Sequence, residues 1–125
     1  MATNYSYGAR FERAVLALAE GAGYKAVRSA QSKGAADLVL LRKGGRPVAV
    51  QCKASRSGRN LVGRDEWNAF WAWCADAGAV PVIAEHGPRG DMVRLYRVTG
   101  ERAERQRTAG LKRRVFLSGD PLEEV

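Results

Sequence analysis

Two β-rich runs separated by a basic, glycine-containing turn constrain this chain more than any other feature. Residues 37–41 read Asp-Leu-Val-Leu-Leu and residues 47–53 read Pro-Val-Ala-Val-Gln-Cys-Lys, with Arg42, Lys43, Gly44, Gly45 and Arg46 between them. The Gly44-Gly45 pair tolerates the positive φ that a tight reversal needs, so the segment is predicted to be a β-hairpin. A hairpin brings its two outer ends together. Asp37 therefore lies at the same end as Gln51, Cys52 and Lys53. Side chains alternate along a strand, so Gln51 and Lys53 share one face while Cys52 points to the other.

Around this hairpin the chain alternates between helical and extended patterns. Phe11, Ala14, Val15, Leu18 and Ala22 form one apolar stripe at helical spacing, which predicts a helix over 7–20 stopped by Gly21 and Gly23. A short strand is predicted over 24–28. Residues 54–64 form a basic loop, after which Asp65 and Glu66 place negative charge at the start of a second helix, where its dipole favours it. Trp67, Phe70, Trp71 and Cys74 give that helix its apolar face, and Gly78 ends it. A buried strand over 80–84 and an alternating one over 92–98 follow, joined by a loop around His86. The resulting order, α-β-β-β-α-β-β, is an α/β fold: a single domain of 125 residues with a mixed central sheet flanked by helices. Residues 99–114 are rich in arginine and lack a clear period, so they are expected to be partly mobile, with an edge strand over 115–117.

Hydrophobic residues at 46% and charged residues at 27% fit a globular protein rather than a disordered one. Lys and Arg number 21 against 13 Asp and Glu, a net charge of +8 that suits a polyanionic partner. The surplus sits in one block. Between residues 21 and 64 stand ten basic residues (Lys25, Arg28, Lys33, Arg42, Lys43, Arg46, Lys53, Arg56, Arg59 and Arg64) and a single acid, Asp37. No apolar run is long enough to span a membrane, and the N-terminus lacks a charged region followed by an apolar one. Cys52 and Cys74 make no disulfide framework, and the one histidine leaves no zinc spacing. Both cysteines read as small apolar filling, and a cytoplasmic setting, in a prokaryotic cell or a virus-infected one, is expected.

The carboxylate of Asp37, the amide oxygen of Gln51 and the ammonium of Lys53 at one sheet edge are the parts needed for metal-assisted phosphodiester hydrolysis. Asp37 and the Gln51 side-chain oxygen suit a hard divalent cation, with the Cys52 backbone carbonyl as a third ligand. Lys53 would position or deprotonate the attacking water, or stabilise the developing negative charge. An isolated Asp at a strand mouth also serves as a turn residue or an arginine's partner.

Asp37 followed after thirteen residues by Gln51-x-Lys53 resembles the bipartite core of the PD-(D/E)xK nuclease superfamily, whose fold is the restriction-endonuclease-like core. Gly8 to Arg13 on the first helix (Gly-Ala-Arg-Phe-Glu-Arg), then Gly23-Tyr24 and Val27-Arg28-Ser29, and residues 77–84 after the second helix, resemble archaeal-type Holliday junction resolvases over about 7–98. The resemblance implies a small, homodimeric, magnesium-dependent endonuclease, with Mn²⁺ as a substitute and no small-molecule cofactor, that cuts four-way DNA junctions. It matches Glu12 to a glutamate completing the metal site, Asp37 to the central metal ligand and Lys53 to the catalytic lysine. Arg10 and Arg28 match basic residues near the scissile phosphate. Ser32, with Ser29 as the weaker match, corresponds to a serine in the loop before the aspartate. Glu12 on a helix face can equally pair with neighbouring arginines. The family pattern usually has glutamate where this chain has Gln51, a change that keeps an oxygen ligand but removes a full charge. A Gln-x-Lys core is also similar to Mrr-type restriction nucleases.

Lys33, Arg56, Arg59 and Arg64 in the flanking loops, with Lys43 and Arg46 in the hairpin turn, are expected to surround the acid and grip DNA phosphates with little sequence information. Trp73 falls off the apolar stripe of the second helix and is expected to cover a homodimer interface. Two other readings stand beside the junction resolvase: an Mrr-like or other nuclease of the superfamily acting on different DNA, and a non-catalytic basic nucleic-acid-binding protein.

Overall fold

Seven strands hydrogen-bond in chain order into one mixed sheet in the computed structural model, which describes residues 4–29, 35–53, 62–86, 93–118 and 122–124. Helix α1 (Asn4–Gly21) precedes strands β1 (Lys25–Arg28), β2 (Leu38–Leu41) and β3 (Val48–Lys53). Helix α2 (Arg64–Ala77) then leads to β4 (Val80–Glu85) and β5 (Arg94–Val98), followed by a 3₁₀ turn (Thr108–Leu111), β6 (Lys112–Phe116) and β7 (Glu123–Glu124). All neighbours are antiparallel except β3 and β4, the pair that α2 connects, which run parallel. Antiparallel neighbours can be joined by short turns, whereas a parallel pair needs a crossover long enough to return the chain. The mixed α/β architecture expected from the sequence is present.

The sheet is covered on both sides, which is why Val48, Ala49 and Val50 are all buried despite pointing alternately. One face carries Leu38, Leu40, Val48, Val50 and Val82 beneath Phe11, Val15 and Ala19 of α1. The other carries Ala49 and Ile83 beneath Trp67, Phe70 and Cys74 of α2. The α1 seam therefore runs at i, i+4, i+8 through Ala19, and Leu18, assigned to the stripe from its spacing, is 45% exposed. In the hairpin turn only Gly44 takes positive φ, at 78°, and Gly45 N–H closes the turn onto Arg42 O at 3.1 Å. Gly78, at φ 67°, ends α2 in the left-handed conformation that glycine adopts without a Cβ penalty.

The C-terminal quarter departs most from the sequence reading. Residues 100–106 are fastened to the first turns of α2, not loose: Trp67 Nε1 donates to Gly100 O at 2.9 Å, and Asn68 and Arg102 exchange two bonds of 3.0 and 2.7 Å. The Arg102 guanidinium donates to Gln106 O and Val62 O. Strand β6 begins three residues before the predicted 115 and lies between β5 and β7, so the sheet ends on β7 instead. Its polar start explains the miss. Lys112 pairs with Glu85 at 2.5 Å and lies over the Tyr96 ring, so cross-strand ion pairing replaces the apolar alternation that marks a strand.

Arg105 closes the turn after Arg102 with φ at 65°, the sole non-glycine in that region among the described residues. A Cβ there costs about 1–2 kcal/mol, of which glycine's greater chain entropy returns part. Arg105→Gly is therefore expected to stabilise the fold by about 0.5–1 kcal/mol in urea denaturation.

Candidate active site

Asp37 precedes β2 by one residue and is held at both backbone groups: its N–H donates to Val50 O and its carbonyl accepts from Ser29 N–H, each at 2.9 Å. Its carboxylate Oδ2 accepts from Cys52 N–H at 2.7 Å. The hairpin register, with Leu38 opposite Val50, thus brings Asp37 against the Gln51–Lys53 end of β3. Burial raises the Asp37 pKa above the ordinary aspartate value; the charges of Glu12 and Glu66 add to this, while the Cys52 N–H and the Lys53 ammonium oppose it. Those contributions place two further acids within electrostatic reach of Asp37.

Gln51 and Lys53 line a cavity of about 450 Å³ together with Asp37, Glu66 and Phe70. The Cys52 side chain instead packs with the α1-side core, as strand alternation requires. Burial raises its thiol pKa far above the free value, and Asp37 contributes to this, so the thiol stays neutral. Gln51 is 8% exposed; its Nε2 donates to Ala35 O at 3.4 Å, and its Oε1 is buried with no hydrogen-bond partner among the described residues. An orphaned amide oxygen is costly unless something electropositive meets it. Lys53 Nζ is ion-paired to Glu66 Oε1. Among the described residues, no three His, Cys, Asp or Glu side chains gather to hold an ion by themselves. A cation at this end would meet the oxygen set of Asp37, Gln51 Oε1 and a backbone carbonyl, a donor chemistry that suits a hard divalent ion.

Glu12 lies in α1 with its carboxylate accepting from Arg28 Nε of β1 at 2.7 Å, a partner across the fold rather than a neighbouring arginine on an exposed helix face. Arg10 is exposed in the same helix. Arg64 is the first residue of α2 rather than part of the loop, because Gly63 O accepts from Trp67 N–H and starts the helix there. Ser32, Lys33, Arg56 and Arg59 lie outside the described residues.

Among the described residues, the cations at the turn end of the hairpin do not surround Asp37. Lys25 pairs with Leu41 at the turn end of the sheet, and Arg46 donates to Gly78 O beside the C-terminus of α2. Arg42 stacks over Tyr24. The four residues from Asp37 to Leu41 put the turn about 13 Å away from the acid at strand rise. A hairpin separates its turn from its ends, so cations adjacent in sequence are divided between opposite edges of the sheet. Arg28 and Lys53 remain at the acid's end.

Glu66 is the cavity residue that sequence reasoning missed, since an acid at a helix start is accounted for by the dipole alone. Its position four residues before buried Phe70 was the available signal, because residues at i and i+4 face the same way. A larger cavity of about 630 Å³, near the C-terminal end of α2, is lined by Trp71, Cys74 and Leu122 with Arg46 and Arg97. Among the described residues its lining contains no carboxylate, and burial pushes the Cys74 thiol up to about 12.

The fold is similar to the 1.6 Å structure of Archaeoglobus fulgidus Hjc, a Holliday junction resolvase from an archaeal hyperthermophile, with a TM-score of 0.63. Sequence identity is 24%, and the match covers 94% of this chain and 95% of that one. A search of curated proteins returned no match. The family profile of the archaeal Holliday junction resolvases matches residues 3–122. With nearly its whole length matched, and with Asp37, Gln51 and Lys53 gathered at one end of the sheet, the chain belongs to the archaeal Holliday junction resolvase (Hjc) family.

Proposed function

We propose that this chain cuts four-way DNA junctions by hydrolysing paired, symmetrically placed phosphodiesters at the cavity of Asp37, Gln51 and Lys53. The observation that carries this is the orphaned Gln51 Oε1 beside a carboxylate, in a chain of the resolvase family. Asp37, Gln51 Oε1 and the Cys52 backbone carbonyl would hold Mg²⁺, with Mn²⁺ as a substitute. When bound, the ion polarises a phosphoryl oxygen and lowers the pKa of a water. Lys53 sits at the mouth of the same cavity and aligns that water or meets the charge that develops on phosphate. Glu12, paired with Arg28, would complete the metal site with a further carboxylate. Arg10, Arg28 and Arg64, with Lys33, Arg56 and Arg59 of the flanking segments and Ser32 before the acid, bind the DNA backbone around the scissile bond. A homodimer would present two sites to the two-fold-related strands of a junction, and Trp73, 41% exposed on α2, is available to cover its interface. Among the described residues no helix is long and apolar enough to cross a membrane.

Chelation tests the cation. Junction cleavage is expected to stop in EDTA and return with excess Mg²⁺, and cleavage undiminished in EDTA would remove the ion from the mechanism. Binding is expected to weaken about tenfold or more between about 50 and 200 mM salt, as several released counterions require. A flat response in an electrophoretic shift assay would show that phosphate contacts do not drive binding.

A further inference from the structure

We propose that Glu66 is a working residue of this site, holding Lys53 over the cavity and supplying from α2 the carboxylate charge that Gln51 does not supply from β3. The inference rests on reading Asp37 and Gln51 as the cation site, and it starts from two observations. Glu66 Oε1 is ion-paired to Lys53 Nζ. Glu66 lines the same cavity as Asp37 and Gln51, whose Oε1 has no hydrogen-bond partner among the described residues.

Charge balance explains why the site needs it. Among the side chains lining the cavity, the charges of Asp37 and Lys53 cancel and Gln51 is neutral. Without Glu66 the cavity would offer a divalent cation no net negative charge. With Glu66 it carries one excess negative charge, and the ammonium of Lys53 is met by a carboxylate other than Asp37. Lys53 then leaves the Asp37 carboxylate, whose Oδ2 already accepts from Cys52 N–H, and Gln51 Oε1 to a cation. Oxygen sites gain affinity for hard divalent ions as carboxylate charge is added. Glu66 also fixes Lys53: the lysine side chain is half-buried, Glu66 holds its tip from the exposed start of α2, and a flexible lysine stem held at its tip presents one geometry to a phosphate. Glutamate at residue 51 would do part of this work from the strand; here the helix opposite the strand does it. Substitution at 51 and at 66 should therefore be mutually compensating, which a merely structural surface ion pair does not require.

Mn²⁺ binding by isothermal calorimetry separates the outcomes, with E66Q, Glu66→Asp, Q51E, the double variant Q51E/E66Q and Asp37→Asn compared. E66Q is expected to bind Mn²⁺ about tenfold more weakly than wild type, as loss of a full charge beside the ion implies. Glu66→Asp should bind more tightly than E66Q, and Q51E/E66Q should recover to within about threefold of wild type. Asp37→Asn should lose measurable binding. If E66Q binds as wild type while Asp37→Asn does not, Glu66 has no part in the site and the proposal fails alone. If E66Q is weakened but Q51E does not restore it, charge replacement is wrong. If Asp37→Asn itself binds Mn²⁺ normally, the underlying cation site is misplaced.

Discussion

Asp37→Asn is expected to reduce junction cleavage by about 10³-fold or more while leaving junction binding within about twofold of wild type. Asparagine keeps an oxygen to accept the Cys52 N–H bond at 2.7 Å, so the hairpin end has no reason to rearrange. What is lost is one of the two carboxylate charges that line the cavity with Gln51. The sign of the stability effect makes the experiment decisive. Burial, Glu12 and Glu66 raise the Asp37 pKa, so the folded protein binds a proton there more readily than the unfolded chain does. For a raised carboxyl, native stability falls as pH rises through the ordinary aspartate value and on through the folded one. Removing the charge should therefore raise the melting temperature of the metal-free protein at pH 7, with a smaller gain near pH 4. A variant that is inactive, binds DNA and melts no lower than wild type has lost chemistry rather than structure. Unchanged cleavage would remove Asp37 from the site.

Trp67→Ala is expected to cost about 3–5 kcal/mol, the range for truncating a buried large aromatic. Trp67 is 2% exposed, and its indole fills the space between α2 and the sheet. Its Nε1–H also holds Gly100 O at 2.9 Å, the first of the bonds fastening residues 100–106 to α2. A domain of this size has a total stability of about 5–15 kcal/mol, so the variant is expected to be partly unfolded at 37 °C. Trp67→Phe keeps most of the apolar volume but leaves the Gly100 carbonyl without its donor, and should cost about 1–2 kcal/mol. Guanidinium denaturation of both variants checks the pair. A loss below about 1 kcal/mol for Trp67→Ala would mean that the C-terminal segment is not anchored through this residue.

The parts of the fold legible in the sequence are those set by local chemistry. The hairpin follows from strand alternation and Gly44, and it alone brings Asp37 to Gln51 and Lys53. The parts that were not legible depend on partners distant in sequence. Glu66 meets Lys53 across a crossover; its spacing from Phe70 signals the face it shares but not the partner it meets. Strand β6 is held by Lys112 on Glu85 and Tyr96, so polar cross-strand pairs stand where an apolar pattern would have marked it. The basic block was visible as composition but not as geometry. Its turn residues lie a strand's length from Asp37, and Arg46 meets the C-terminal end of α2 instead. Leu18 and Ala19 exchange roles for a simpler reason: neighbouring helical residues differ by only 100° around the axis, and packing against the sheet decides between them.

Selective cutting of branched DNA is the central claim, and one reaction tests it most directly. A four-way junction labelled on each strand in turn, and a linear duplex of the same arm sequence in the same tube, are incubated with the protein and Mg²⁺ and resolved on a denaturing gel. Paired nicks at symmetry-related positions in the junction, with the linear duplex intact, are the predicted result. Equal cutting of the linear duplex would contradict it.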